Sequence, residues 1–522
     1  MLLQRIGNRG MRLGELFDRA AAKHPTTVVI TDHDLDIAPE RGRKLTVAEL
    51  AEVVADLSAR LWVASVRPGQ RVVVYKSNNF DIVLLACAIA RIGAVPVLLS
   101  PRLDGETAAE LVRRADRPHL VTDHAKLDAE LPARVEAATV ILVGAGEHPT
   151  GRPLRAFDGA PRVAPVTMPA DHPVLVTHTS GTTGIPKMAV HTRRSLQARY
   201  RPQAVGVAMV AKRETVAIHV SFVHSRMYSA LTLALVRGFP VLVLANTDQD
   251  SVANLFGTFR PGIVEAHPNS FMAWEPLADD PREPFAGVKY FSSTFDAIHP
   301  RTIDRLLAAS RRRFPVFAQL YGQSETGPIV ARSYTRRRPE DSDGRCVGIP
   351  LPGMTDVRVV SRDGRPPTKD SPGHIEVRSD GRAVTYLGEQ ELYDRMVDGG
   401  WWRMGDVGYR TRWGCLHLLD REVDLIEGFG STLAAEDTLL ARMAQLTEVV
   451  IVPSADGAPL PVVCTRDDRP LDLDAWREAA GGLPPMREPV HRKLCELPHT
   501  ATEKIKRLEL ARLLTQAGGT HA

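Results

Sequence analysis

The sequence predicts an α/β protein with a large N-terminal domain and a small, mobile α/β C-terminal domain. At 522 residues the chain is too long for a single hydrophobic core. Between residues 46 and 320, apolar runs alternate with helical patterns, which is typical of parallel sheets flanked by helices. Short strands separated by Gly, Pro and Asp begin near residue 344 and indicate a β-rich subdomain. We expect domains over residues 1–420 and 421–522.

The first clear helix is predicted over residues 46–61, where apolar side chains recur at spacings of three and four. Thr46 and Glu49 have the spacing of a capping box at its start. The alternation of strand and helix then continues at 70–75, 81–92, 94–99, 215–220, 228–236, 240–244, 302–314 and 316–320.

The later part of the chain has shorter strand patterns. Four of them read MTDVRVV, SPGHIEVRS, GWWRMGDVGYRT and CLHLLDRE, and their Gly, Pro and Asp turns favour antiparallel pairing. Beyond residue 420, the apolar runs at 449–454 and 461–465 predict strands of the small domain. By itself, the GDVGY segment at 405–409 is typical of a β-turn.

Composition excludes several classes of function. The 66 basic and 62 acidic side chains leave a net charge of only +4, which favours neither a nucleic-acid nor a membrane-surface partner. The 5 scattered cysteines show neither disulfide nor zinc spacing and fit a reducing compartment. Without an apolar segment long enough to span a membrane, the chain is expected to be cytoplasmic.

The most informative segment is VTHTSGTTGIPK, at residues 176–187. Glycines expose backbone N–H groups, small hydroxyls add donors, and Lys187 supplies a compact positive charge, a combination suited to nucleotide phosphates. No Ser or Thr follows Lys187, so the segment is not a Walker loop. A polar surface turn is the alternative interpretation of the segment alone.

Four further clusters follow in order: YGQSETGP at 321–328, GDVGY at 405–409, LDREVDLI at 419–426 and LPHTATEKIKRLEL at 497–510. Together with the glycine-rich loop they resemble the adenylate-forming superfamily, which contains acyl-CoA and aryl-CoA synthetases, luciferases and nonribosomal peptide synthetase adenylation domains. The resemblance covers nearly the whole chain. It implies that a carboxylate reacts with ATP and Mg²⁺ to form an acyl-adenylate and pyrophosphate.

The resemblance implies several contacts to ATP. Ser324 stands where the family has a threonine and keeps a hydroxyl for the α-phosphate. Glu325 matches the glutamate that holds Mg²⁺, a cation that prefers oxygen ligands. The residues implied to hold the β- and γ-phosphates are Thr179, Ser180, Gly181, Thr182, Thr183, Gly184 and Lys187.

Three residues match the nucleoside contacts of the family. Tyr321 corresponds to the aromatic residue that stacks on adenine, and Asp406 to the aspartate that accepts both ribose hydroxyls. Arg421 corresponds to the arginine that contacts ribose or phosphate at the domain junction. Without the family, an ordinary strand-end tyrosine, a turn aspartate and a surface charge are the simpler interpretations.

Two further matches concern the reacting groups. Lys504 matches the C-terminal lysine that bridges carboxylate and phosphate oxygens, so catalysis is expected to require domain closure. His224 matches the histidine that lies beside the carboxylate site in acyl- and aryl-CoA ligases. Thr294, Phe295 and Asp296 replace smaller residues and predict a smaller or more polar substrate pocket. Asp296 could equally cap a helix over 300–307.

The chain departs from the family pattern near the thiol-transfer elements. Glu503 replaces the glycine before the C-terminal lysine, and Val423 replaces the acidic or lysine hinge residue. Glu427 and Ala435 stand where lysine and proline are usual, in a loop that lines the family's thiol tunnel. These departures support adenylation better than thioester formation.

The leading hypothesis is ATP- and Mg²⁺-dependent adenylation of a small or aryl carboxylic acid, followed by transfer to CoA. A second hypothesis keeps adenylation but changes the acceptor to a carrier-protein thiol or an amine, or activates an unusual oxyanion such as nitrite toward an amine. A third is a catalytically silent nucleotide-binding protein. Pyrophosphate release, measured with and without CoA, discriminates among the three.

Overall fold

The fold is described from a computed structural model covering residues 11–129, 131, 135–179, 181, 184–208, 210, 212–294, 298–336, 345–454, 456–500 and 504–518. Helices α1 to α14 are Leu16–Ala21, Val47–Val63, Asp81–Arg91, Gly105–Arg114, His124–Ala129, Arg193–Ala208, Ser225–Arg237, Gln249–Phe259, Pro268–Trp274, Pro300–Ala309, Gln390–Asp394, Thr432–Arg442, Leu473–Ala479 and Arg507–Gly518. Strands β1 to β25 are Val28–Thr31, Lys44–Thr46, Arg71–Val74, Val95–Leu98, His119–Asp123, Thr139–Val143, Arg152–Pro153, Pro173–His178, Met188–Thr192, Val216–His219, Val241–Val243, Ile263–Ala266, Tyr290–Ser293, Val316–Gln323, Gly327–Tyr334, Cys346–Pro350, Thr355–Val360, Gly373–Ser379, Thr385–Tyr386, Val397–Asp398, Trp401–Arg410, Leu416–Arg421, Leu446–Pro453, Pro459–Thr465 and Val490–His491.

Two large sheets organise the N-terminal part, and both have parallel centres. In one sheet the described strand order is β19-β9-β8-β4-β3-β5-β6-β7, with parallel pairing from β8 through β7. In the other, β1, β11, β10, β12, β13 and β14 pair in parallel in that order. The mixed α/β architecture with helix-flanked sheets agrees with the predicted fold class.

The second sheet becomes antiparallel beyond β14. Strand β15 turns back along β14, and the order continues through β16, β22, β21, β18 and β17, all in antiparallel pairs. These strands include the four short patterns predicted beyond residue 344. The GDVGY segment is not a plain turn, because it lies inside β21. The first of its two glycines, Gly405, has a φ of +71°, so the strand is bent there.

A layer of helices lies between the two sheets and forms the main core. Apolar side chains of α2, α3 and α7 pack with residues of both sheets, for example Leu50, Leu84 and Leu231 with Val74 and Ile218. Thr46 and Glu49 make the predicted capping box, since each accepts a hydrogen bond from the other's backbone N–H.

The C-terminal segment has its own three-stranded sheet, β23-β24-β25. Buried Glu436 on α12 accepts two hydrogen bonds, of 2.6 and 2.7 Å, from Arg507 at the start of α14. Arg345 pairs across the junction with Asp437. The segment is therefore held both internally and against the rest of the chain. A domain boundary at residues 420/421 stays a prediction.

One local alternative from the sequence is wrong. Helix α10 is capped by His299, whose side chain accepts a hydrogen bond from the backbone N–H of Arg301, rather than by Asp296. Pro300, the first residue of the helix, has no backbone N–H that needs a partner. A cap at the residue directly before it is therefore sufficient. Asp296 itself lies outside the described residues.

Three further observations concern the described part of the chain alone. No helix there is long and apolar enough to cross a membrane. The cysteines at positions 87, 346, 415, 464 and 495 are all free thiols. No group of three or more His, Cys, Asp or Glu side chains in those residues could hold a metal ion.

Candidate active site

A cavity of about 370 Å³ lies where the two sheets and the C-terminal segment meet. Its size is within the range of small-molecule sites. It brings together residues from each of the sequence clusters. Those with predicted roles are Thr179, Gly181, Lys187, His224, Thr294, Ser324, Glu325, Arg421 and Lys504.

The glycine-rich loop is the turn of the β8–β9 hairpin. Its ends are joined by hydrogen bonds between Thr179 and Lys187: the Thr179 N–H donates to the Lys187 carbonyl at 2.9 Å, and the Lys187 N–H donates to the Thr179 hydroxyl at 3.0 Å. Gly181 has a φ of +70°, and a Cβ there would lie 2.9 Å from the Gly184 carbonyl oxygen. Only glycine fits this position. The predicted phosphate contacts Ser180, Thr182 and Thr183 lie outside the described residues.

Arg199, on α6, is a buried cation that sequence reasoning missed. Its side chain is 3% exposed, and its Nε and Nη2 donate to the carbonyls of Gly381 and Glu325, each at 2.6 Å. Nη1 donates to the Ser225 hydroxyl at 3.0 Å. Burial lowers the pKa of the guanidinium to about 10, so it remains charged at neutral pH. One side chain thereby connects three separate segments of the chain, two of which line the cavity.

The Glu325 carboxylate faces the glycine-rich loop through an aromatic neighbour. The Tyr386 hydroxyl donates to Glu325 Oε1 at 2.5 Å. The Lys187 Nζ lies 5.7 Å from the centre of the same Tyr386 ring. Burial, followed by the nearby Glu325 charge, raises the pKa of the Tyr386 hydroxyl far above its usual value, so this group acts as a hydrogen-bond donor.

The predicted nucleoside contacts lie together on neighbouring strands. The Tyr321 hydroxyl donates to Asp406 Oδ2 at 2.6 Å, and Arg421 Nε lies 3.6 Å from Asp406 Oδ1. Burial and the Asp406 charge raise the pKa of Tyr321 well above its usual value. Asp406 and Arg421 are paired across β21 and β22. Roles of these three residues toward adenine and ribose stay predictions.

His224 is a neutral imidazole beside the turn that carries Ser324. Its Nδ1 accepts a hydrogen bond from the Arg226 N–H at the start of α7, and its Nε2 lies 3.5 Å from the Ser324 hydroxyl. Burial, then the charges of Arg199 and other nearby cations, lowers the pKa of His224 to about 3. The ring therefore adds no positive charge at neutral pH.

The C-terminal segment and β13 complete the cavity wall. Lys504 lines the cavity, and its backbone N–H donates to the Thr500 hydroxyl at 3.1 Å. Thr294 also lines it, whereas Phe295, Asp296 and Glu503 lie outside the described residues. Val423, at the altered hinge position, reaches the cavity but is 51% exposed.

Sequence reasoning also missed Tyr386 and the buried pair of Arg226 with Glu265. For Arg199 a signal existed, because Leu196, Arg199 and Tyr200 share one helical face and all are buried. An arginine on a buried helix face requires partners. For Tyr386 no motif provided a signal, since its contact with Glu325 joins residues 61 positions apart.

Comparisons with known proteins identify the family of the chain. The profile of the family described as AMP-binding enzyme matches residues 17–387. The chain is an AMP-binding enzyme. It is accordingly an adenylate-forming ligase that binds ATP.

Among relatives of this AMP-binding enzyme is 3-amino-2-hydroxy-4-methoxybenzoate diazotase from Streptomyces cremeus, 47% identical, with 98% of this chain and 97% of the relative covered. A second, 3-aminoavenalumate diazotase from a Streptomyces species, is 26% identical over 90% of this chain and 89% of its own length. ATP-bound MatB from Rhodopseudomonas palustris has a similar fold, with a TM-score of 0.78, 23% identity, and coverage of 97% and 99%.

The first prediction concerns Gly322 in the YGQSETGP turn. A Cβ at this position would lie 1.9 Å from the Gly327 carbonyl oxygen, so the β14–β15 hairpin must open to accept it. We expect Gly322→Ala to weaken ATP binding at least tenfold, measured by calorimetry. Gly206→Ala is the matched control, because that helical site is open and alanine favours helix by roughly 1 kcal/mol. Equal ATP affinity in both variants would contradict the prediction.

The second prediction concerns acid stability. The folded state holds His224 with a pKa of about 3, below the ordinary value of 6.5, so the unfolded state binds the extra proton as pH falls. The contribution of His224 to the free energy of unfolding is therefore complete above pH 6.5 and is lost as the pH falls toward 3. At pH 5 this loss is about 2 kcal/mol. Buried His191 and His267, also with lowered pKa values, act in the same direction. We expect the unfolding temperature to fall from pH 7 to pH 5.

The matched variant for this test is His224→Asn, which retains a helix-capping acceptor without a titrating ring. Its unfolding temperature should fall less than that of the wild-type protein over the same pH range. An identical fall in both proteins would show that His224 does not carry the effect.

Proposed function

We propose that this enzyme uses ATP to activate nitrite and transfers the nitrosyl group to an aromatic amine, giving a diazo product. The observation that carries the proposal is the 47% identity, over nearly the full length of both chains, to a diazotase. A second relative at 26% identity also has a diazotase name. The predicted ATP contacts in the cavity are compatible with this reaction.

The chemistry explains why an adenylate-forming site suits a diazotase. A nitrite oxygen attacks the α-phosphorus of ATP, the bond to pyrophosphate breaks, and a mixed anhydride of nitrite and AMP forms. The amine nitrogen then attacks the nitrosyl nitrogen, and AMP leaves with the bridging oxygen while the amine loses a proton. Protonation of the nitrosamine and loss of water give the diazonium ion. No oxidant or reductant is needed.

Two anions must meet in the first step, so cations around the cavity are needed to offset their repulsion. Lys187 and Lys504 line it, and we assign them to the phosphates and to the attacking oxyanion. Glu325 fits Mg²⁺, because it lines the cavity and, among the described residues, Tyr386 engages only Oε1 of its carboxylate. Mg²⁺ commonly takes one protein carboxylate together with substrate phosphates, and would there neutralise phosphate charge.

The neutral state of His224 suits the same step. Its Nε2 faces the Ser324 hydroxyl, which is assigned to the α-phosphate. With a pKa of about 3 the ring is a weak base, so we assign it to orienting the attacking group rather than to proton transfer.

The departures from the thiol-transfer pattern support an acceptor other than CoA. Glu427 is an exposed carboxylate where the family has lysine, so it repels the phosphates of an approaching CoA. Ala435 is buried within α12, where the usual proline is absent. The alternative that the experiment tests is adenylation of a small or aryl carboxylic acid, followed by transfer to CoA or to a carrier-protein thiol.

The third prediction tests the reaction itself. With an aminohydroxybenzoate as amine, we expect release of pyrophosphate to require nitrite and to be unaffected by CoA. Mass spectrometry should detect a product in which ¹⁵N-nitrite supplies one of two adjacent nitrogens. Nitrite-independent pyrophosphate release, with an acyl-CoA product, would support the alternative instead.

Variants link this reaction to the cavity. Lys187→Ala and Lys504→Ala should each lower nitrite-dependent turnover by roughly 100-fold or more, as expected for loss of a charge that stabilises the transition state. Lys493→Ala is the control. Lys493 is an exposed lysine of the same segment, and its only ion pair among the described residues is with Asp468, at 3.6 Å. Normal turnover in Lys504→Ala would contradict the role given to that residue.

A further inference from the structure

The cavity wall contains a buried ion pair with a donor left over. Arg226, at the start of α7, is 7% exposed, and Glu265 on β12 is 4% exposed. Arg226 Nε and Nη2 donate to Glu265 Oε1 and Oε2 at 2.5 and 2.6 Å. This is a bidentate pair, which fixes the plane of the guanidinium. Arg226 lines the cavity, whereas Glu265 is not among its described lining residues.

The third nitrogen of this guanidinium, Nη1, is buried and has no hydrogen-bond partner in the described part of the chain. An unsatisfied buried donor on a charged group is costly, and such groups are normally paired. Because Glu265 occupies the other two nitrogens, Nη1 is the part of Arg226 available to a molecule in the cavity. An anionic oxygen is the partner that a charge-assisted N–H bond favours.

Two more buried polar atoms of cavity-lining residues have no hydrogen-bond partner among the described residues. The Thr294 hydroxyl, at the end of β13, is one of them. The other is Oε1 of Gln203, whose amide nitrogen donates to the Arg199 carbonyl at 3.1 Å. The cavity therefore offers a cationic donor, a hydroxyl and an amide acceptor. These complement a ring that carries both an anionic oxygen and a hydrogen-bond donor such as an amine or a phenol.

We propose that Arg226 binds the ring carboxylate of an aminobenzoate-type substrate and so selects carboxylated aromatic amines. This inference rests on the proposed function, in which the carboxylate is an anchor and nitrite is the group that is activated. Glu265 is then a positioning residue, since it aligns the guanidinium without lining the cavity itself. Gln203 and Thr294 are placed to contact the polar ring substituents.

The test compares two amines that differ in one group, 3-amino-2-hydroxybenzoate and 2-aminophenol, which lacks the carboxylate. For the wild-type enzyme we expect kcat/KM to favour the carboxylated amine by roughly 100-fold, as one buried charge-assisted hydrogen bond allows. The double variant Arg226→Gln/Glu265→Gln removes both charges, so neither is left buried alone. It should reduce the preference to about threefold or less, mainly through KM for the carboxylated amine.

Two further variants accompany this measurement. Arg226→Lys retains the charge without the planar fork and should give an intermediate preference. Arg194→Gln, which removes an exposed arginine paired with Asp171, is the matched control and should retain the wild-type preference. ATP affinity, measured by calorimetry, verifies that each variant is folded.

Binding of 3-amino-2-hydroxybenzoate in the presence of ATP but without nitrite separates this inference from the proposed function. If the wild-type enzyme binds it and the double variant does not, the carboxylate site is supported even when nitrite-dependent turnover fails. An unchanged preference in a folded double variant would overturn the inference. So would a rise in KM for nitrite alone, because Arg226 would then bind the activated anion.

Discussion

The architecture of the active site depends on one buried cation, Arg199. Its guanidinium reaches the carbonyl of Glu325, the carbonyl of Gly381 and the hydroxyl of Ser225, so a charge that is costly to bury is satisfied by three segments at once. The position of the Arg199 side chain also restricts which residues can occupy neighbouring positions. A Cβ at Gly327 or Gly381 would lie 2.7 or 2.9 Å from Arg199 Cγ, so the arginine stem requires both glycines.

This anchoring explains how the Glu325 carboxylate is held at the cavity. Its backbone carbonyl accepts from Arg199 and from the Ala383 N–H, which leaves the carboxylate to receive the Tyr386 hydroxyl. Tyr386 in turn lies beside Lys187 of the glycine-rich loop. The YGQSETGP motif is continuous in sequence, yet its position depends on Arg199 of α6, more than a hundred residues before it. The motif contributes a main-chain carbonyl to this contact.

The sequence predicted much of the fold because local signals agreed with tertiary packing. The helix over 46–61 is observed as Val47–Val63 with its capping box, and the β-branched run at 70–75 is strand Arg71–Val74. Residues that form compact motifs were also found together at the cavity. Contacts between distant positions gave no comparable signal: the bond from Tyr321 to Asp406 spans 85 residues, and that between Arg226 and Glu265 spans 39.

Charge distribution connects these observations to chemistry. The described cavity wall carries the cationic side chains of Lys187, Arg199, Arg226, Arg421 and Lys504 against the carboxylates of Glu325 and Glu422. Arg199 and Arg226 are engaged within the protein, and Lys187 and Lys504 line the same cavity.

A charged histidine at position 224 would add to this excess, but burial and the same cations keep its ring neutral. In the proposed reaction the site separates two tasks. Lys187 and Lys504 serve the anions that change during the reaction, while Arg226, fixed by Glu265, holds an anion that stays unchanged. This division suits the proposed substrates, an aromatic amine that carries a carboxylate and a different, smaller anion that is activated.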